Sequence, residues 1–181
     1  VNKVLFSGEA MPMKHLKQWM SHLPEARFIN LYGPTEITCN CTWHEVERGR
    51  EYPDGLPIGR SFPNERVFLL DEENHLVTAP GVHGEICVTG TALALGYYNN
   101  PTQTESRFVQ NPLVTAYPQR MYRTGDLGWY NEEGELFFAG RKDFQIKYMG
   151  HRIELEEIER ALSGVEGVER ACCVFDEKKG R

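Results

Sequence analysis

The chain has 181 residues, 40% hydrophobic and 25% charged, a globular composition rather than that of a disordered segment. A net charge of −6 gives no basic footprint for nucleic acid, and no apolar run is long enough to span a bilayer. Five cysteines, an odd number without framework spacing, argue against disulfides and for a reduced, cytoplasmic setting.

Val1 opens directly into an apolar run ending at Phe6, which reads as a strand already under way. The last residues, Glu177 to Arg181, read as a turn, so a piece of a longer protein is expected. After the first strand comes the loop Ser7-Gly8-Glu9-Ala10. Pro12 suits a helix start. Leu16, Trp19, Met20 and Leu23 fall at i, i+3, i+4 and i+7, one apolar stripe. Arg27 to Leu31 forms the next strand, so a βαβ crossover is predicted, with both strand ends at the same edge of a sheet.

At that second strand end stands Asn30-Leu31-Tyr32-Gly33-Pro34-Thr35-Glu36. It places a flat ring, a sharp turn, a hydroxyl and a carboxylate within seven residues. The ring can stack on a base, the hydroxyl can donate to a phosphate, and the carboxylate is a hard ligand suited to Mg²⁺. A plain Gly-Pro turn after a buried strand is the alternative. Cys39, Cys41 and His44 lack a fourth ligand at a zinc-like spacing.

Ile37 to Val46 reads as a strand, and Gly49 to Pro63 as loop. Short strands follow at Arg66–Leu70, Gly84–Thr89 and Gly134–Phe138, separated by turn clusters, with one short helix from Gln103 to Phe108. Regular turns with few helices suggest a small antiparallel β-barrel. Thr124-Gly125-Asp126 reads as a tight turn presenting a carboxylate, which can accept both hydroxyls of a ribose. It can equally be an ordinary Asp turn. Beyond Asp143 the pattern is a hairpin around Met149-Gly150, an amphipathic helix through Leu155, Ile158 and Leu162, and a strand from Val168 to Phe175.

Ser7 to Ala10, Asn30 to Glu36, Gly84-Glu85-Ile86, Gly96-Tyr97, Tyr122 to Leu127 and Gly140 to Glu159 occur in an order and spacing that resembles the adenylate-forming (AMP-binding) enzymes. The resemblance covers essentially the whole chain. Tyr32 to Glu36, with Gln145-Ile146-Lys147 and Arg152 to Glu159, looks most like the adenylation domains of nonribosomal peptide synthetases and D-alanine–carrier protein ligase.

That resemblance implies α/β plus β architecture. Residues 1–48 would end a large α/β subdomain, 49–142 form a small β-barrel subdomain, and 143–181 begin a small hinged α+β domain. It implies that Gly8, Glu9 and Ala10 border adenine, Tyr32 stacks on it beyond Gly33, and Asn30 sits near its exocyclic amine. Thr35 would meet the α-phosphate and Glu36 hold Mg²⁺. Asp126 would grip the ribose with help from Arg141, with Phe138 packing beside the nucleotide where relatives carry a tyrosine. Leu5, Ser7, Leu31, Cys39 and Asn40 would line the substrate pocket. Asp143 would be the hinge, with Lys147 and Gly150 on a loop that enters the site after rotation.

The implied activity is ATP-dependent activation of a carboxylic acid, an amino acid in the favoured case, as an acyl-adenylate. Transfer to the phosphopantetheine thiol of a carrier protein would follow. The alternatives are a ligase passing a fatty or aryl acid to CoA, and a non-catalytic nucleotide-binding module. The family's phosphate loop and catalytic lysine have no match in these 181 residues, so little or no activity is expected of this stretch alone.

Overall fold

The computed structural model describes residues 1–143, 145–148 and 151–175. The chain divides into two compact units, Val1–Gly140 and Arg141–Arg181.

The first unit begins with the expected crossover. Strand β1 (Lys3–Phe6) and strand β2 (Arg27–Tyr32) flank helix α1 (Met13–His22). They pair in parallel from Lys3↔Arg27 to Phe6↔Asn30, so both carboxyl ends lie at one edge. One face carries Val4, Phe6 and Phe28, which pack with Leu16, Ala26, Val46 and Tyr52 under α1. Leu16 is the buried anchor of the helix, with Met13, Met20 and Leu23 around it. Trp19 departs from the predicted stripe. It lies at the edge of the arc that these four define, and the residue is 58% exposed. The carboxyl end of α1 is closed from outside: the Arg48 guanidinium donates to the carbonyls of Met20, Leu23 and Ala26 at 2.7–3.0 Å.

Ile37 to Val46 is not the single strand predicted. A 3-10 turn, Thr35–Ile37, runs into Thr38 and Cys39 at φ 57° and 86°, and only then does β3 (Thr42–Glu45) begin. The chain must reverse here because β3 returns antiparallel along β2, with Tyr32 opposite Thr42. β-branched composition records that these residues suit a sheet, not where the reversal falls. Strand β4 (Arg60–Ser61) completes this four-stranded sheet against β3.

A second sheet has six strands: β5 (Glu65–Leu70), β6 (Leu76–Val77), β7 (Gly84–Gly90), β8 (Phe108–Gln110), β9 (Arg120–Tyr130) and β10 (Leu136–Arg141). Its order is β10-β9-β7-β5-β6, with β8 on β9, and the β5–β6, β5–β7, β7–β9 and β8–β9 pairs are antiparallel. Helix α2 (Pro101–Arg107) sits between β7 and β8, its first turn capped by Asn100 accepting from the Gln103 amide.

In the second unit β11 (Gln145–Tyr148) pairs antiparallel with β12 (His151–Glu154), and α3 (Leu155–Ser163) follows. Gln145 donates to Glu154 across the hairpin. The strand predicted from Val168 to Phe175 does not form: β11 and β12 make a two-stranded sheet, and Val174 is 82% exposed. Apolar alternation makes a strand only where a neighbour offers a ladder. Among the described residues no helix is long and apolar enough to cross a membrane.

The loop after β3 is tied to the second sheet through charge. Arg50 donates to both Glu135 oxygens, at 2.9 and 2.5 Å, and to Glu133 at 3.0 Å. That contact holds the Glu135 carboxyl below the usual carboxylate range. Beside it His44 is buried, edge-on to Tyr52 at 5.7 Å and 3.8 Å from Glu135. Burial depresses the imidazole pKa below its ordinary 6.5, although Glu135 pulls the other way.

Leu16→Ala should cost about 2–5 kcal/mol, read as a lowered urea midpoint, because it opens a void between helix and sheet. For His44 the folded state favours the neutral ring, so the unfolded chain binds the proton first as pH falls. Its contribution is therefore complete above pH 6.5 and is lost as pH falls below that value toward the folded one. Urea midpoints across this range should drop for the wild type and drop less for His44→Gln.

Candidate functional site

Strand β2 ends on Tyr32, which packs against two core clusters, one of Ile37, Cys41, Val88, Phe108 and Tyr122 and one of Ile58, Leu69, Val77, Ile86 and Leu136. Its hydroxyl donates to Asp126 Oδ2 at 2.5 Å. The Phe138 ring stands 6.4 Å away, tilted by 41°, and is 45% exposed. Burial first, and then the Asp126 charge, pushes the Tyr32 phenol well above its ordinary pKa, so it remains a donor. Residues from β2, β9 and β10 thus meet at one corner of the first unit.

Asp126 is not on the tight turn predicted. It lies within β9, the longest strand, at a break in register. Glu85 pairs with Leu127 and Cys87 with Arg123, so Thr124, Gly125 and Asp126 stand opposite the single residue Ile86. This is a β-bulge, and Gly125 at φ 74° accommodates it. Side chains fix its shape. Thr124 Oγ1 donates to the Ile86 carbonyl at 2.7 Å and accepts from the Asp126 amide at 2.9 Å. Glu85 accepts from the Gly125 amide at 3.2 Å and from the Arg123 guanidinium at 2.9 and 3.0 Å. The bulge re-aims Asp126 from the ladder toward Tyr32.

The turn after β2 depends on Gly33. A Cβ there would lie 2.6 Å from the Asn40 Cα and 2.9 Å from the Cys39 carbonyl, closer than atoms can approach. Beyond it Thr35 is exposed, while Glu36 is 6% exposed and accepts from the Tyr97 hydroxyl at 2.5 Å. Asn30 is buried and donates to the Pro57 carbonyl at 2.9 Å. Gly8, at φ 97°, follows β1 at the same sheet edge, with Glu9 and Ala10 exposed beside it.

The predicted pocket positions divide by the strand alternation. Leu5 and Leu31 lie on the sheet face opposite Val4 and Phe6, with Leu5 57% exposed. Ser7 and Cys39 are exposed, and Asn40 is half-buried with its amide donating to Cys39 Sγ at 3.3 Å. Burial, with Glu65 and Asp126 nearby, pushes the Cys41 thiol upward. Among the described residues the metal-capable side chains that gather are Asp71, Glu73 and His75, not Cys39, Cys41 and His44. In the second unit Arg141 pairs with both oxygens of Asp143 at 2.7 Å. The Lys147 side chain and Gly150 lie outside the described residues.

Two groups had been quoted in motifs without a role. Glu85 shapes the bulge, and Tyr97 holds Glu36. The signal for Tyr97 was a tyrosine following a glycine in a loop of alanines and leucines, which carries no direction by itself. Tyr32→Phe removes one donor from a buried carboxylate and should cost about 1–3 kcal/mol in denaturant unfolding. The loss should largely vanish against an Asp126→Asn background, where the charge is gone, as a double-mutant cycle would read.

The AMP-binding enzyme family model matches residues 1–98. Over 162 residues the chain is 39% identical to surfactin synthase subunit 1 of Bacillus subtilis (strain 168), covering 90% of the chain and 4% of that protein. It is 37% identical over 172 residues to the D-alanine–D-alanyl carrier protein ligase of Lacticaseibacillus casei (strain BL23), covering 94% of the chain and 33% of the ligase. The structure is similar to the Vibrio cholerae adenylation domain AlmE, solved in complex with glycyl-adenosine-5′-phosphate, with TM-score 0.80 and 32% identity over 98% of this chain and 34% of that one. The chain therefore spans about a third or less of the lengths of these relatives. With its first 98 residues matched by the family model and its fold shared with an adenylation domain, the chain belongs to the AMP-binding enzyme family.

Proposed function

We propose that this chain forms the adenosine-gripping part of a cytoplasmic ligase that activates an amino acid as its acyl-adenylate. Pyrophosphate leaves, and the acyl group passes to the phosphopantetheine thiol of a carrier protein. The observation that carries the reading is the Tyr32–Asp126 contact at 2.5 Å, beside Phe138. It sets an aromatic corner and a fixed carboxylate next to each other, as a base and its ribose require. Support for the amino acid and the carrier comes from the relatives: one is named for D-alanine and its carrier protein, and another was solved with a glycyl adenylate.

In this reading Tyr32 stacks on the adenine and Phe138 packs beside the nucleotide, with Gly8, Glu9, Ala10 and Asn30 along the rim of the base. Asp126 accepts from the ribose hydroxyls, with Arg141 as its assistant. The exposed Thr35 hydroxyl donates to the α-phosphate. Leu5, Ser7, Leu31, Cys39 and Asn40 form one wall of the amino-acid pocket. Asp143 acts as the hinge, and Lys147 and Gly150 enter after rotation. The main barrier is the approach of a carboxylate to a phosphate, one anion toward another, so oriented donors supply much of the catalysis.

Glu36 and Thr35 fit a divalent cation. Both offer hard oxygen ligands, and the Glu36 carboxylate accepts from the Tyr97 hydroxyl. Bound there, Mg²⁺ would offset phosphate charge.

The test is ATP–pyrophosphate exchange, screened across amino acids, in the longest protein that carries this chain. Asp126→Asn keeps the shape and an acceptor for Tyr32 but turns one acceptor into a donor. It should raise the KM for ATP about 10- to 100-fold, the equivalent of a charged hydrogen bond, and leave the KM for the amino acid in place. An unchanged KM for ATP would sink the assignment of Asp126.

A further inference from the structure

We propose that Arg123 is a positioning residue for Asp126: through Glu85 it fixes the bulge in the shape that aims that carboxylate, and Asn74 on the β5–β6 turn fixes Arg123 in its place. This rests on the reading of Asp126 given above.

A bulge takes backbone groups out of the ladder, and they must find partners elsewhere. Two amides of β9 donate to side chains instead. The Asp126 amide is met locally, by Thr124 Oγ1 at 2.9 Å. The Gly125 amide is met from the next strand, by Glu85 Oε1 at 3.2 Å. Glu85 is 6% exposed, and a carboxylate buried to that degree needs a partner for its charge. Arg123 is that partner. Its Nε and Nη2 both donate to Glu85 Oε2, at 3.0 and 2.9 Å, while Oε1 faces the Gly125 amide. Donors on both oxygens set the plane of the carboxylate, and a single donor would leave it free to turn.

The guanidinium is fixed in turn. Its Nη1 donates to Asn74 Oδ1 at 2.8 Å, so all three of its nitrogens are engaged. Arg123 therefore acts on a nucleotide through Asp126 rather than by reaching it. Asn74 is exposed on the turn between β5 and β6, at φ 68°, a left-handed angle that asparagine tolerates better than most residues. Its amide donates to the Asp71 carbonyl at 3.2 Å, and Asp71 Oδ1 accepts from the His75 amide at 2.7 Å, which closes the turn. β5 pairs with β7, with Leu70 opposite Glu85, and β7 pairs with β9, with Glu85 opposite Leu127. The relay from Asn74 through Arg123 and Glu85 to Gly125 thus crosses three strands that the ladders already hold together.

What the relay controls is direction. A ribose offers two hydroxyls, and a carboxylate has oxygens for both when it faces them. Without Arg123 the Glu85 carboxylate turns toward water, the Gly125 amide loses its acceptor, and Asp126 turns from the sugar. A nucleotide with both hydroxyls then loses its advantage over one that lacks either.

The experiment follows pyrophosphate exchange in the longest protein that carries this chain, with ATP, 2′-deoxy-ATP and 3′-deoxy-ATP. Arg123→Met should raise the KM for ATP about 10-fold and leave the KM for the amino acid in place. It should also shrink the preference for ATP over the two deoxy nucleotides, read as a ratio of kcat/KM. Adding Glu85→Gln should rescue it, because the neutral amide keeps an oxygen for Gly125 and needs no cation. The double variant should recover most of the KM and of the preference. Asn74→Gly keeps the left-handed turn but removes the acceptor. It should move both readouts the same way by about 2- to 3-fold, and it carries the test if Arg123→Met does not fold. A merely structural pair would lower the melting temperature and leave the KM for ATP and the preference where they were, which overturns the proposal. So does a double variant no better than Arg123→Met. Equal kcat/KM for the three nucleotides in the wild type overturns the ribose reading of Asp126 beneath it. A preference that falls with Asp126→Asn but with neither Arg123→Met nor Asn74→Gly overturns this inference alone.

Discussion

A hydroxyl on the first sheet and a carboxylate on the second meet at 2.5 Å, and the site is organised about that contact. Tyr32 reaches it from the last residue of β2, and Asp126 from the middle of β9. The two are 94 residues apart, so the bond closes a long loop, and only a rigid frame on each side makes it worth its entropy. Tyr32 has that frame because it packs on two core clusters. Asp126 has it because Thr124 and Glu85 stitch the bulge to β7. The Arg123 pair with Glu85 matters for this reason. It holds in place a carboxylate that would otherwise have the Gly125 amide as its main geometric guide.

The same logic recurs at Glu36, with different materials. There the carboxylate lies on the element too short to define it, and the rigidity is borrowed from the loop that precedes α2. Phe108 serves both arrangements, since it packs in the cluster that supports Tyr32 and lies edge-on to Tyr97. Two polar groups that differ in their neighbours therefore share one apolar support. A void at that support should loosen both at once, whereas the loss of either hydroxyl is local.

How much of this could be read from the sequence differs by element. The crossover from β1 through α1 to β2 was legible, because apolar spacing is local and the parallel connection leaves few topologies. The seven residues around Tyr32 stood out as a candidate site because they concentrate several kinds of ligand group in one turn. Asp126 was legible as a residue but not as a shape. Thr-Gly-Asp is turn chemistry, and its place within an 11-residue strand follows from pairing with β7, which is long-range information. Trp19 and Val168 to Phe175 failed for a related reason: periodicity marks what could be buried, and the partner decides whether it is. Tyr97 stood in a quoted motif, but nothing local says that its hydroxyl ends at Glu36, 61 residues earlier.

The tightest part of the backbone lies in the turn that joins β2 to β3 within the first sheet. Thr38 and Cys39 both take left-handed angles without being glycine, which costs of order 1–3 kcal/mol each. Gly33 is in turn pressed against Asn40 and Cys39, so the strain cannot relax toward β2. Its compensation is visible in the bonds on either side. The Cys41 amide donates to the Tyr32 carbonyl at 2.8 Å, the Phe62 amide to the Cys41 carbonyl at 2.9 Å, and Ile37 and Cys41 are fully buried. These contacts act on the same few residues, so the turn is over-determined rather than merely strained. A straighter path from Glu36 to β3 would relieve the angles but carry Cys39 and Asn40 away from Tyr32. The cost is therefore borne where it keeps Cys39 and Asn40 beside Tyr32 on one short stretch of chain.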